Sequence, residues 1–377
     1  MVSQSEVAIS ALRRRRSHLR RVIRAQIALG HGIDEMRPVL ARYLRVGGYI
    51  RRSLQRSERV SAVAFNLNAF SQQEALVNFR FFVPDLGRLS SLLDLQVDVS
   101  RRRYNVSPIE CLAIVLRRLA SPSRWTDLDL LFGRSASSLS EIFCRGVDEL
   151  IGRWGHLITT WRAALMAERA AAYAAAIAGK DAPLQTCVGF IDGTLIRIAR
   201  PGRGLQRVCY SGHKRCHAIK FQSICTPDGL LFHLFGPVEG RRHDMLLYHE
   251  SGVDAQLEAT LLIDETQFCI YGDSAYILRA WIQRGYGAWP DGDAEEQAYD
   301  GAMNRLREAV EWGFKEVKQQ FKSLDFKRKL KICETSVGAQ YLSGALLWNM
   351  RSCFYGNQTS TYFDCAAPSI ERYLQCQ

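Results

Sequence analysis

The chain has 377 residues, 47% of them hydrophobic and 23% charged, and a formal net charge of +12. That composition is ordinary for a globular protein with room for two domains, and no apolar run approaches the ~20 residues that a membrane-spanning helix needs. Arginines follow the short apolar patch in "MVSQSEVAISALRRRR", the wrong order for a secretory signal, so an intracellular protein with no membrane contact is expected.

Residues 1–60 form a basic arm. They hold 14 arginines, no lysine and 4 acids, a net +10 of the total +12. An arm of this kind suits a polyanion, because phosphate contacts release counterions with little sequence preference. "RRRRSHLRRVIR" also suits nuclear import, so nucleic acid, entry to the nucleus or both are expected, with a solvated basic helix as the alternative.

Residues 61–179 read as an all-helical domain. Short helices broken at Pro84 precede "SPIECLAIVLRRLAS", where Ser107 caps a helix with Pro108 at its first position and Glu110 at its third. A short helix ending at Gly133 and a longer one opening at Ser135 follow, an order compatible with a helix-turn-helix unit or with a plain helical bundle. An Ala-rich helix, Trp161 to Ala178, ends at Gly179 and Pro183, and "GKDAPLQ" marks the predicted domain boundary.

The texture then changes to strands over 186–198, 217–226, 230–238 and 268–271. The first three, separated by "PGRG" and "PDG" turns, predict an antiparallel meander; the fourth follows a helix and joins by a crossover. Eleven cysteines without C-x-x-C spacing predict buried reduced thiols rather than disulfides or a zinc site. No G-x-G-x-x-G follows a strand, so no dinucleotide or other small-molecule cofactor is expected.

Two of these strands end alike. "GFIDGT" carries Asp192 at the end of an apolar run beside Gly193, and "YGDSAY" carries Asp273 in the same setting. Each acid alone reads as the start of a turn. Together on neighbouring strands they repel unless a cation lies between them, and oxygen ligands without a Cys or His cluster point to Mg²⁺ or Mn²⁺. A third ligand is sought on the helix "GAMNRLREAVEWGFKEVKQQF", where Glu311 borders the apolar face and Glu308 and Glu316 compete on spacing; a solvated acid paired with Arg307 or Lys315 is the alternative.

These motifs occur in a fixed order: "FIDGT", "YSGHKRCHAIKFQ" with "TPDG", "EGRRHD", "GDSAY" and "NRLREAVEWGFKEVK". In that order they resemble the catalytic domain of Harbinger-type DDE transposases and the nucleases derived from them. The helix resembles that family's Asn-x-x-Arg-x-x-Val-Glu-x-x-Phe pattern, which selects Glu311. The resemblance implies an α/β chain: an RNase H-like catalytic domain over 186–350, a mixed sheet flanked by helices, after the helical domain and before a tail at 351–377. It implies a metal-dependent DNA endonuclease or transposase in which Asp192, Asp273 and Glu311 hold the metal ions of a two-metal displacement. Lys214, Arg215 and His217 are then expected to contact phosphate near the site. Asp244 is a further candidate ligand, but the family pattern makes Asp273 the second acid, and His243–Asp244 reads mainly as a cap. The family implies a Myb-like accessory protein for DNA targeting and nuclear entry, with residence in the nucleus and a cytoplasmic pool. The competing expectation is a domesticated descendant that binds DNA or protein without cleavage.

Overall fold

The computed structural model describes residues 65–97, 105–287, 293–332 and 334–375, with a few positions before 65. The basic arm therefore lies almost wholly outside the described residues. The chain divides into two compact units, residues 1–65 with 125–136 and residues 66–124 with 137–377. In the smaller unit the rings of Phe65 and Phe132 stack with centroids 5.2 Å apart, and a short helix ends at Gly133, whose φ is +59°.

The larger unit opens with helices α1 (Gln72–Phe79), α2 (Val83–Leu93) and α3 (Pro108–Ala120). Ser71 and Glu74 close a capping box on α1, and Ser107 Oγ accepts from the Glu110 amide on α3. Helices α4 (Ala136–Trp154), α5 (His156–Thr159) and α6 (Ala163–Ala178) follow. Gly146 lets α4 approach α3 closely: a Cβ there would lie 2.8 Å from Cys111 Sγ and from Val115 Cγ2. The expected helix-turn-helix draws on both units, since α3 and α4 belong to the larger one and the short helix between them to the smaller. The Ala-rich helix α6 packs on the sheet, within the same unit.

The sheet is mixed. Strands β1 (Cys187–Arg197), β3 (Cys216–Cys225) and β4 (Leu231–Glu239) form the expected antiparallel meander, and β2 (Tyr210–Ser211) joins the start of β3. The chain crosses through α8 (Asp244–Glu250) and α9 (Val253–Thr260), after the short α7 (Arg203–Cys209) before β2. Beyond a small hairpin, β5 (Leu262–Ile263) with β6 (Thr266–Gln267), it returns as β7 (Cys269–Gly272), parallel to β1, and β8 (Ile282–Arg284), parallel to β7. Helix α10 (Ala294–Gln320) then lies against β1 and β3. Its buried residues include Leu306, Val310, Phe314 and Val317, the apolar stripe that the sequence displays.

The segment expected as a tail is instead built into the core. Helix α11 (Val337–Tyr355) is buried almost all round, and α12 (Gln358–Phe363) and α13 (Ile370–Gln375) follow. Asn349 on α11 accepts from the Leu231 amide and donates to the Leu231 carbonyl, both at 2.9 Å, which satisfies the outer edge of β4. Asn357 donates to the Asp228 carbonyl at 2.8 Å, in space that any side chain at Gly229 (φ +77°) would fill.

Candidate active site

Phe190 of β1 pairs with Tyr271 of β7 in parallel register. Asp192 and Asp273 each stand two residues beyond that pair, on strands about 4.8 Å apart. Asp273 follows the end of β7 as expected, but Asp192 is in the middle of β1, paired with Ser223, rather than at a strand end. Asp273 Oδ1 accepts from the Ala275 amide at 3.0 Å, which fixes the turn after β7. Gly272 is required before it, because a Cβ there would lie 2.6 Å from the Tyr276 ring and 2.9 Å from Ile191.

Alternation along β1 puts Asp192 on the same face as Phe190 and Thr194. Helix α10 covers this face. Arg307 Nη1 sits 3.1 Å from Asp192 Oδ2, and Lys318 Nζ donates to Thr194 Oγ1 and to the Leu195 carbonyl. On a helix, Arg307, Glu311, Phe314 and Lys318 fall within about 40° of one stripe. Glu311 therefore shares the stripe turned to β1, one turn after Arg307, and is itself exposed. Glu316 points to the other side of α10, where its Oε1 accepts from the Gln358 amide at 3.3 Å. Glu308 is exposed about 100° away from Arg307.

The opposite face carries Gly193, Gln222 and Lys220, and here the structure brings in Asp244, a further candidate ligand that the sequence reads mainly as a cap. Asp244 is the first residue of α8, not its cap: His243 holds the cap position, without a side-chain cap hydrogen bond. The Asp244 carboxylate instead lies over Gly193, where a Cβ would be 2.0 Å from Asp244 Oδ1, and it pairs with Lys220 Nζ at 2.9 Å. The glycine of "FIDGT" is thus the space into which Asp244 fits. Gln222 donates to the Asp244 carbonyl at 3.1 Å and to Tyr276 Oη at 2.9 Å.

Burial pushes the Asp192 carboxyl up to about 6; Arg307 and the Gly193 amide oppose this, while the negative charges of Asp244 and Asp273 add to it. The Tyr276 hydroxyl is held well above its ordinary value by burial, then by Asp244, Asp192 and Asp273. Three acids thus converge electrostatically around the middle of β1. Buried polar atoms without a hydrogen-bond partner also gather here: Gln222 Oε1 and Arg307 Nε. Among the described residues, no three His, Cys, Asp or Glu side chains stand close enough to hold a metal ion as they are arranged. The donor chemistry nevertheless fits a hard cation, since carboxylate oxygens supply the cluster and Asp192 lacks full solvation. A cleft of about 430 Å³ opens beside the acids, lined by Asp273, Ser274, Gln297, Asp300, Asn304 and Arg307 among others. Its walls thus include Asn304 and Arg307, the first two positions of the helix motif.

Lys214, Arg215 and His217 are not brought to these acids. Asp192 pairs with Ser223 on β3, and His217 lies six residues earlier on that strand. At about 3.3 Å per residue this puts His217 roughly 20 Å away, at the other end of the sheet, with Lys214 and Arg215 in the turn before it. Lys214 and Arg215 are exposed in the β2–β3 turn, and His217 packs edge-on against Tyr210 with centroids 5.3 Å apart. Proximity along the chain to "CHAIKFQ" is misleading because the antiparallel strand carries its beginning away from the site.

No curated protein and no solved structure matches this chain significantly. A match comes from the scan of protein families, and it spans the strand that bears Asp192, the crossover, the second acid and helix α10: residues 191–346 match the family described as DDE superfamily endonuclease.

Proposed function

We propose that this chain is a DNA endonuclease or transposase of the Harbinger type, with Asp192, Asp273 and Glu311 as its metal-holding acids. The observation that carries the reading is the side-by-side placement of Asp192, within β1, and Asp273, just past the end of the parallel β7, faced by the α10 stripe that bears Glu311. The family match over 191–346 supports the nuclease class. Bound Mg²⁺ or Mn²⁺ would supply activation of the attacking oxygen and neutralisation of the leaving one. The chain's own residues do the rest. Arg307 holds Asp192 in place through an ion pair and shares a wall of the cleft with Asn304, so both reach a DNA backbone lying there. Asp244, held by Lys220 behind Gly193, adds negative charge without facing α10. A Myb-like partner and a nuclear location with a cytoplasmic pool belong to the same proposal, supported by the motif order and the arginine-rich arm. So does DNA binding by the helices around 107–158.

The test is nicking of duplex DNA with Mg²⁺ or Mn²⁺, with and without a partner, comparing the parent with Asp192→Asn and Glu311→Gln. Both variants should lose cleavage, and Asp244→Asn should lose less. Equal cleavage by Asp192→Asn and the parent sinks the assignment. The second reading, a descendant that binds DNA without cutting it, is favoured by the ion pairs of Arg307 with Asp192 and Lys220 with Asp244, in which protein cations already neutralise two of the acids. A parent that never cuts, while binding DNA, selects it.

A further inference from the structure

We propose that a second cleft, at the end of the sheet remote from the acids, binds the DNA phosphate backbone flanking the cleaved bond. This rests on the nuclease reading above. The cleft, about 620 Å³, is lined by Arg200, Gln206, Arg207, Tyr210, His217 and Arg241, with no carboxylate in its wall.

The fold assembles it from five elements. Arg200 follows β1, Arg207 is on α7, Tyr210 and His217 are paired across β2 and β3, and Arg241 follows β4. Gly240 allows this convergence: a Cβ there would lie 2.5 Å from the Ala218 carbonyl and 3.1 Å from that of Cys209. Arg200 Nη2 donates to Gln206 Oε1 at 2.9 Å, and Gln206 in turn donates to the Pro201 carbonyl at 3.1 Å, so one arginine is braced. Tyr210 is 41% exposed and held upright by the edge contact with His217. Among the described residues, none of the three arginines forms a salt bridge, while the neighbouring acid Glu239 is taken by Arg242. Three exposed guanidinium groups, a phenol and an imidazole around an acid-free hollow are donors for phosphate oxygens.

The surroundings favour a long polyanion over a small phosphate. Lys214 and Arg215 are exposed in the adjoining turn, and the basic stretch "KRKLK" is tied to the end of β1 by the Ala199 amide donating to the Leu330 carbonyl at 2.9 Å. Between the cleft and the acids, Arg197 and Lys318 lie along β1. Strand β1 itself, from Asp192 onward, is the span between the acid cluster and the cleft. Its length, roughly 20 Å, corresponds to about six base pairs at the 3.4 Å rise of duplex DNA.

The experiment measures binding of the full chain to labelled DNA in EDTA, so that neither metal nor cleavage enters. Duplexes are extended stepwise on either side of a nicked centre, and the parent is compared with a triple variant, Arg200→Gln with Arg207→Gln and Arg241→Gln, whose fold is checked by its melting curve. The parent should gain affinity once one arm exceeds about six base pairs. The variant should lose that gain, and the slope of log K against log salt should fall by about 2–3. An unchanged slope, or an equal loss on short and long duplexes, overturns the proposal. So does a variant that loses binding to a phosphopeptide or heparin while holding long DNA as the parent does. Failure of the nuclease reading would show separately, as Asp192→Asn cutting like the parent.

Discussion

Two carboxylates in neighbouring parts of the sheet, Asp228 and Asp192, live by different rules. Asp228, in the β3–β4 turn, is fully buried, and its needs are met: Thr226 Oγ1 and Tyr173 Oη donate to it at 2.6 Å, the Leu230 amide at 3.2 Å, and Arg169 lies 3.5 Å away. Asp192 is only partly buried, yet it receives one amide and one guanidinium and faces two like charges. Burial raises the proton affinity of both acids. The difference lies in what surrounds the charge. A structural acid is enclosed by donors that complete its shell, whereas a functional acid is left with unmet capacity toward a space that something else can enter.

The largest expected effect tests the functional half of that contrast. Asp192→Asn should reduce metal-dependent DNA nicking by about 10²-fold or more, as loss of one preorganised charge does, while its melting temperature stays close to the parent's. A cleavage-competent Asn variant would move Asp192 into the class of Asp228. Next comes the structural half. Asp228→Ala strands the Tyr173 and Thr226 hydroxyls and the Leu230 amide in the core, and should cost about 2–4 kcal/mol in urea unfolding. A loss below about 1 kcal/mol would show that its shell is not what holds the turn.

The third effect is one of pH. In metal-free protein the folded state holds the Asp192 proton up to about pH 6, whereas the unfolded chain releases it near 3.9. Between these values the folded state binds more protons, so this group's contribution is full below about pH 4 and is lost as pH rises to about 6. Asp192→Asn should remove a decline on the order of 2 kcal/mol across that window. Identical pH–stability curves for the two proteins would show that the charge of Asp192 is already fully compensated. The smallest effect is that of Gly193→Ala. The added methyl meets Asp244 Oδ1, a side-chain atom that can rotate away, so stability should fall by only about 1 kcal/mol. Nicking should nevertheless fall, as Asp244 shifts behind Asp192. Unaltered nicking would detach Asp244 from the site.

Much of this site is legible in the sequence because its signals are local. An apolar run meeting Asp-Gly marks the acid of β1, though not that the strand continues through it to Arg197, and the 3.6-residue apolar period of α10 fixes which way that helix faces. Glu311 stands apart from Glu316 once Arg307 is seen to touch β1. The role of Asp244 is only half legible, since His-Asp before a helix reads as a ligand or, more simply, as a cap until Gly193 is found beneath it. Lys214 and Arg215 illustrate the same limit, because neighbourhood in the chain ceases to mean neighbourhood in space along an extended strand. The shell of Asp228 is drawn from Tyr173, Thr226 and Leu230, with Asn357 holding its backbone carbonyl, and no periodicity links those positions. The helices after 350 had a readable sign in the Asn357–Ser360 capping box, but nothing local told that they would be buried.

The clasp around Asp228 bears on how this chain can be cut. The recognisable stretch runs from 191 to 346, yet Tyr173 lies ahead of it, and Asn349, Asn357 and Tyr373 lie behind it. A gene fragment trimmed to the recognisable stretch would lose the first half of β1, the phenol that caps a buried acid and the amides that seal the edge of β4. The portable piece, whether for expression in the laboratory or for fusion to another gene, is therefore longer than the portion that carries the signature. It begins no later than the Ala-rich helix and extends at least to Tyr373 of α13.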